Sequence, residues 1–180
     1  MRETLYLDTE TTGLRGCYAG GKDEIVELAI VDDAGVPVIN TLVRPARLQE
    51  WPYAERIHGI SPAMVAAAPR LEDFVPDLRH LLRGTTVVIY NAAFDVQFLP
   101  HEVFQGCDVQ CCMLRYANGG RWPKLTAAAA DVGHRWTGAA HRALADTLAT
   151  RSVWRHLDMQ ARGAAGASGP SGFTRDPLRT

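Results

Sequence analysis

Glu24-Ile25-Val26-Glu27-Leu28-Ala29-Ile30-Val31-Asp32-Asp33-Ala34-Gly35-Val36-Pro37-Val38-Ile39-Asn40-Thr41-Leu42-Val43 reads as a β-hairpin. Residues 24–31 are a short run rich in β-branched side chains, Asp32 to Gly35 supplies turn residues, and Val36 to Val43 is the returning partner. Upstream, Glu3 to Leu7 reads as a further short strand, separated from the hairpin by a loop holding Gly13, Gly16, Gly20 and Gly21. Three strands in succession with tight connections predict an antiparallel start to a sheet.

Downstream the pattern changes to alternating helix and strand. Ser61-Pro62 is a helix-start signal. Leu71, Phe74, Val75, Leu78, Leu81 and Leu82 mark one face of a helix over 71–82, with Gly84 as its stop. Thr85 to Tyr90 is a continuous apolar run, as expected of a strand covered on both faces. Asn91 to Phe98 begins a helix interrupted near Pro100, and Cys107 to Val109 is a candidate last strand. Helical stretches follow near 110–117, 124–132 and 141–160. The order β-β-β-α-β-α-β-α predicts an α/β domain, a mixed five-stranded sheet flanked by helices. One known arrangement with this order is the ribonuclease H-like fold. The expected boundaries are a domain over residues 1–161 and a flexible Gly/Ala/Ser/Pro-rich tail over 162–180.

A length of 180 residues suits one domain, and 47% hydrophobic with 22% charged residues is ordinary globular composition. The formal net charge of −1 argues against bulk electrostatic coating of nucleic acid. It leaves room for a nucleic-acid enzyme in which a basic rim offsets an acidic site. Apart from Lys22 and Lys124 the basic residues are arginines, whose planar fork suits phosphate oxygens; Arg44, Arg47, Arg56 and Arg142 are rim candidates. No run reaches the roughly 18 apolar residues of a membrane span, and Asp8 and Glu10 interrupt the first apolar stretch, so no secretory pattern is expected. Cys17, Cys107, Cys111 and Cys112 form no disulfide framework. Zinc binding at Cys107 and Cys111 is outweighed by reduced, partly buried thiols, and a cytoplasmic location is the default expectation.

Three segments carry the chemistry. In Leu7-Asp8-Thr9-Glu10-Thr11-Thr12-Gly13-Leu14, Asp8 and Glu10 alternate at a strand end, so both carboxylates point one way. Two adjacent hard carboxylates are what Mg²⁺ or Mn²⁺ needs, although a bare D-x-E is more often a solvated strand end. In Tyr90-Asn91-Ala92-Ala93-Phe94-Asp95 an apolar strand delivers a helix whose first turn holds Asp95, with Asn91 as cap. Capping and the helix dipole account for both residues unless the strand also aims that acid at the sheet's edge. In His141-Arg142-Ala143-Leu144-Ala145-Asp146 a fully helical spacing would separate His141 and Asp146 by about 140°. Both face one cleft only if His141 lies in the loop entering the helix.

In order and spacing the three segments resemble the DEDDh exonuclease family, which includes the proofreading subunit of bacterial replicative DNA polymerase. The resemblance runs over residues 4–155, and Ile57-His58-Gly59-Ile60 is similar to the family's segment between its first two motifs. Relatives that use tyrosine place it four residues before the last acid, where this chain has Arg142. The resemblance implies two Mg²⁺ or Mn²⁺ ions held by Asp8, Glu10, Asp95 and Asp146, with His141 as the base that deprotonates water. Histidine's ordinary pKa of about 6.5 suits that work. It further implies that Leu14 wedges against the terminal base, that Thr11 contacts the 3′ end, that His58 and Ile60 line the nucleotide pocket, and that Asn91 and Phe94 support the site. Expected partners are 3′ ends of single-stranded DNA or RNA. Proofreading subunits are tethered by a C-terminal extension, and few apolar anchors follow Arg162, which tilts the reading towards a stand-alone nuclease over a DNA polymerase subunit. A homodimer and an RNA-trimming enzyme stay open. A non-catalytic module on the same fold would predict loss of at least one of the five residues, and all are present.

Two other segments carry motif-like patterns. Gly16-Cys17-Tyr18-Ala19-Gly20-Gly21-Lys22 fits most of a P-loop, but Asp23 follows where Ser or Thr is needed and a strand follows where a helix is needed. It reads instead as a mobile loop. Arg121-Trp122-Pro123-Lys124 pairs cations with an aromatic ring, a pattern that can hold nucleic acid, although a Trp packed onto the domain accounts for it equally.

Overall fold

A computed structural model describes residues 2–167. In chain order the elements are β1 (Thr4–Thr11), β2 (Ile25–Val31), β3 (Pro37–Leu42), α1 (Pro52–His58), α2 (Pro62–Val65), α3 (Val75–Leu82), β4 (Thr86–Ile89), α4 (Ala92–Asp95), β5 (Asp108–Cys111), α5 (Cys112–Ala117), α6 (Leu125–Asp131) and α7 (Ala143–Ala167). The five strands form one mixed sheet in the order β3-β2-β1-β4-β5. β1, β2 and β3 pair antiparallel, whereas β4 lies parallel to β1 and β5 parallel to β4. This is the ribonuclease H-like arrangement expected from the element order.

The hairpin closes as its residues dictate. Asp32 accepts the Val36 N–H on its side chain at 2.8 Å, and Gly35 takes the left-handed φ of +87° that the turn demands. Alternation along the strands sorts the core into two layers. Leu5, Leu7, Leu28, Ile30, Val87 and Ile89 pack with Leu78 and Leu82 of α3 and with Phe98. Tyr6, Val31, Val88 and Tyr90 pack with Val153 and Trp154 of α7.

Several boundaries differ from the sequence expectation. β1 runs on to Thr11 because its second half stays paired with β2, Asp8 opposite Ala29 and Glu10 opposite Glu27. The 71–82 helix is split: a 3₁₀ turn over Leu71–Asp73 precedes α3, since the ring of Pro76 would meet the carbonyl four residues back in a continuous helix. The unanticipated α1 has Pro52 in its first turn and a left-handed Gly59 at its end. α7 continues through Ala167, into the segment expected to be a tail; residues 168–180 lie outside the described residues. The loop after β1, expected to be mobile, is crossed by its own backbone hydrogen bonds. It holds a 3₁₀ turn at Cys17–Ala19; the Cys17 N–H donates to the Asp23 carbonyl, and the Asp23 N–H donates to the Arg15 carbonyl. Gly16 lies against the Gln97 backbone with no room for a Cβ. No helix among the described residues is long and apolar enough to cross a membrane.

Candidate active site

β1 outruns its parallel neighbour. The last β1–β4 pair is Leu7 with Ile89, so from Asp8 onward one edge of β1 is open. Into that notch α4 brings Asp95 from one face of the sheet and α7 brings Asp146 from the other. Carboxylate oxygens of Asp8, Glu10 and Asp146 lie within 4.8 Å of one another. Asp95, only 4% exposed, lines the same cleft with Asn91, Phe94 and His141, and the cleft measures about 190 Å³. The four acids and the histidine that the sequence singled out therefore meet in one place.

His141 sits outside α7 with a left-handed φ of +62°, and its N–H donates to the Asp146 carboxylate at 3.2 Å. That kink lets His141 and Asp146 share a cleft which a continuous helix would deny them. Asp95 accepts a 2.7 Å hydrogen bond from the Thr9 hydroxyl. The Thr11 hydroxyl donates to the Gly13 carbonyl, and Thr12 accepts the Glu24 N–H, so each threonine of the motif has a local task. Asn91 precedes α4 but makes no side-chain cap; its carbonyl receives the Phe94 N–H instead. Phe94 packs on Phe98 with ring centroids 5.0 Å apart. Leu14 is exposed on the loop after β1.

Two expected pocket residues are placed otherwise. Ile60 is fully buried beside Val26, Trp51 and Val65, so its side chain packs the core rather than lining a nucleotide pocket. Its N–H donates to His58 Nδ1 at 3.0 Å. His58 is buried too; with Nδ1 accepting, Nε2 must carry the proton and donate to the Thr11 carbonyl at 3.3 Å. Burial lowers its pKa, in keeping with a neutral ring that braces the end of β1.

The residue missed in the sequence is Glu27. It is 3% exposed, stands opposite Glu10 across the β1–β2 ladder, and takes a bidentate grip from Arg142. Its carboxylate also accepts the Ala143 N–H at 2.9 Å, capping the first turn of α7 from the sheet face on which that helix packs. Arg142 is thus a tether beside His141 rather than a free rim cation. The signal was a single acid inside an otherwise apolar strand. Of the other rim candidates, Arg44 donates to the Ala66 carbonyl, and Arg56 bonds Pro52 and stacks on Tyr53.

The electrostatics of the cleft favour a cation. Burial, then the charges of Asp95, Asp146, Glu10 and Glu27, pushes the Asp8 carboxyl well above its ordinary range. Burial and the charges of Asp146, Glu27 and Asp95 raise Glu10 to about 8, with Arg142 opposing. Burial raises Asp95 to about 7 against the pull of the Thr9 bond, and it raises Asp146 against the His141 contacts. Crowded hard oxygens that hold their protons for want of positive charge are a donor set that fits a divalent cation.

The stretch matched by the comparison with protein families contains all five of these residues, the four acids and His141. The exonuclease family model, RNase_T, matches residues 5–153. The chain belongs to the exonuclease family. This family member is 34% identical, over 91% of its length and 90% of the other, to the uncharacterized exonuclease CP81 of Escherichia phage 186. It is 40% identical to exodeoxyribonuclease 10 of Escherichia coli K12 over 52% of its own length and 39% of that protein. The chain spans less than half the length of that relative and of the matched DNA polymerase III epsilon subunits. Among solved structures, Exonuclease X in complex with 5′ overhanging duplex DNA superposes with a TM-score of 0.69 at 31% identity, covering 89% of this chain and 93% of that one. A structure of exonuclease I superposes with a TM-score of 0.72 at 20% identity, over 90% of this exonuclease and 42% of that chain, a likeness of fold. The chain is accordingly a nuclease enzyme with an acidic cluster suited to divalent metal.

Proposed function

We propose that this exonuclease hydrolyses the terminal phosphodiester at 3′ ends of single-stranded nucleic acid and releases nucleoside 5′-monophosphates, by a two-metal mechanism. The observation that carries the reading is the convergence of Asp8, Glu10 and Asp146 within 4.8 Å, with Asp95 and His141 on the same cleft. Two Mg²⁺ or Mn²⁺ ions held by the four acids would stabilise charge on the attacking and departing oxygens of the phosphate. His141, exposed at the cleft and held by its backbone bond to Asp146, takes the proton from the attacking water. Thr9 holds Asp95 in its rotamer, and the Glu27–Arg142 tether fixes the loop carrying His141. Leu14 is free to wedge against the terminal base, and the Thr11 backbone, braced by His58, borders the 3′ end. Exodeoxyribonuclease 10 and the DNA complex of Exonuclease X favour DNA over RNA as the substrate.

The test is degradation of 5′-labelled single-stranded DNA and RNA of matched sequence with Mg²⁺, Mn²⁺ or EDTA. The expected result is a ladder shortening from the 3′ end, abolished by EDTA and reduced below about a tenth by Asp8→Ala or His141→Ala. Shortening from the 5′ end, or no cleavage with either ion, overturns the proposal. Similarity to the epsilon subunits carries a second reading, a proofreading partner of a DNA polymerase, which predicts co-elution with a replicative polymerase subunit on gel filtration.

A further inference from the structure

The Arg121-Trp122-Pro123-Lys124 segment has no part in the chemistry above, yet it borders the same cleft. A groove of about 580 Å³ runs from His141 and Asp146 past Tyr90 and Met113 to Trp122 and Lys124. That volume is within the range of about 300–1,000 Å³ that holds small organic ligands. The groove shares Tyr90, Asn91, Leu125, His141 and Asp146 with the acidic cleft, so the two are continuous. A chain lying along the groove leads into the reacting centre.

Trp122 is not a packing residue. Trp51 and Trp154 show how the fold buries an indole, at 4% and 8% exposure, whereas Trp122 is left 66% exposed on the groove wall. Arg121 and Lys124 on either side are exposed, and neither is in an ion pair among the described residues. The segment is held in place from below: the buried Tyr90, one residue before Asn91, donates its hydroxyl to the Pro123 carbonyl at 2.9 Å. The loop thus presents a flat ring and the Lys124 ammonium along a path that leads to the acids, with Arg121 beside it in sequence.

We propose that this groove seats the nucleotides on the 5′ side of the scissile phosphate, with Trp122 stacking on a base and Lys124 meeting a backbone phosphate. This rests on the exonuclease reading. Stacking on an indole tolerates any base, because every base offers a π-face, and a lysine reads phosphate without regard to sequence. An enzyme working along a strand needs that indifference.

The experiment compares kcat/KM on two substrates for wild type, Trp122→Ala and Trp122→Phe. One substrate is an oligothymidylate of about a dozen nucleotides, enough to fill a single-strand site. The other is the p-nitrophenyl ester of thymidine 5′-monophosphate, which has no base on the 5′ side of its phosphate. Trp122→Ala should lower the oligomer-to-ester ratio of kcat/KM by about 10- to 100-fold, the usual worth of one stacked base. Trp122→Phe should keep most of the ratio. In Lys124→Gln the salt dependence of KM for the oligomer should lose a slope of about 0.7. A ratio unchanged in Trp122→Ala, or a loss equal on both substrates, overturns the groove while leaving the exonuclease reading standing. A wild-type protein that cleaves neither substrate overturns that reading and the groove with it.

Discussion

Replacing Glu10 by glutamine removes one charge from the acid cluster while keeping its shape, and the metal-free protein should gain stability in proportion to pH. Burial and the neighbouring carboxylates raise the Glu10 pKa from 4.5 to about 8. Between those two values the folded state binds a proton that the unfolded state has released. Stability therefore falls as pH rises through that window, by up to about 1.4 kcal/mol per unit for this group. Below the unfolded pKa the penalty is absent, and above the folded pKa it is complete. Glutamine carries no such penalty, and it also relieves Asp8 of the Glu10 charge, a change that widens the gap in the same direction. The stability gap between Glu10→Gln and wild type should thus widen by about 3 kcal/mol from pH 5 to pH 7.5. The assay is urea unfolding of both proteins in EDTA at a series of pH values, comparing midpoints at constant slope. Adding Mg²⁺ or Mn²⁺ at pH 7.5 should narrow the gap, because the ion binds the folded wild type most tightly. A gap that stays flat across the window, or widens as pH falls, would refute the view that Glu10 is held against its charge.

Three further outcomes follow from named contacts. Arg142→Met strips the grip from a Glu27 carboxylate whose side chain is 5% exposed, and should cost about 3 kcal/mol in urea unfolding. The double variant Glu27→Gln, Arg142→Met should recover much of that loss. Thr9→Val deletes the 2.7 Å bond that favours ionised Asp95, so Mn²⁺ binding measured by calorimetry should weaken about three- to tenfold at neutral pH, and more at lower pH. Gly16→Ala forces a methyl into the Gln97 backbone and should lower stability by about 1–3 kcal/mol; an unchanged Tm would show that the loop gives way.

The hairpin and the buried β4 were legible in the sequence because each is a local pattern: β-branched runs, a turn that only Asp and Gly suit, an unbroken apolar stretch. Asp8 and Glu10 were legible because strand alternation sets their direction without tertiary help. The role of Glu27 was hidden, since its partners come from residues 142 and 143 and meet it only once α7 packs on the sheet. His58 and Ile60 were misplaced for a similar reason. The segment was readable as a motif, but which of its side chains turn inward depended on Trp51 and Val26 beside it. The end of α7 escaped because alanine and glycine give no amphipathic signal, while alanine still favours helix.

The open edge where β1 outruns β4 has a consequence for safety. Its acids come from three elements widely separated along the chain, and the last of them lies on the helix that follows all five strands, with the histidine on the loop entering that helix. A molecule whose sheet has formed but whose final helix is undocked lacks Asp146 and the contact that holds His141. Under the proposed function such a half-folded copy does not cut.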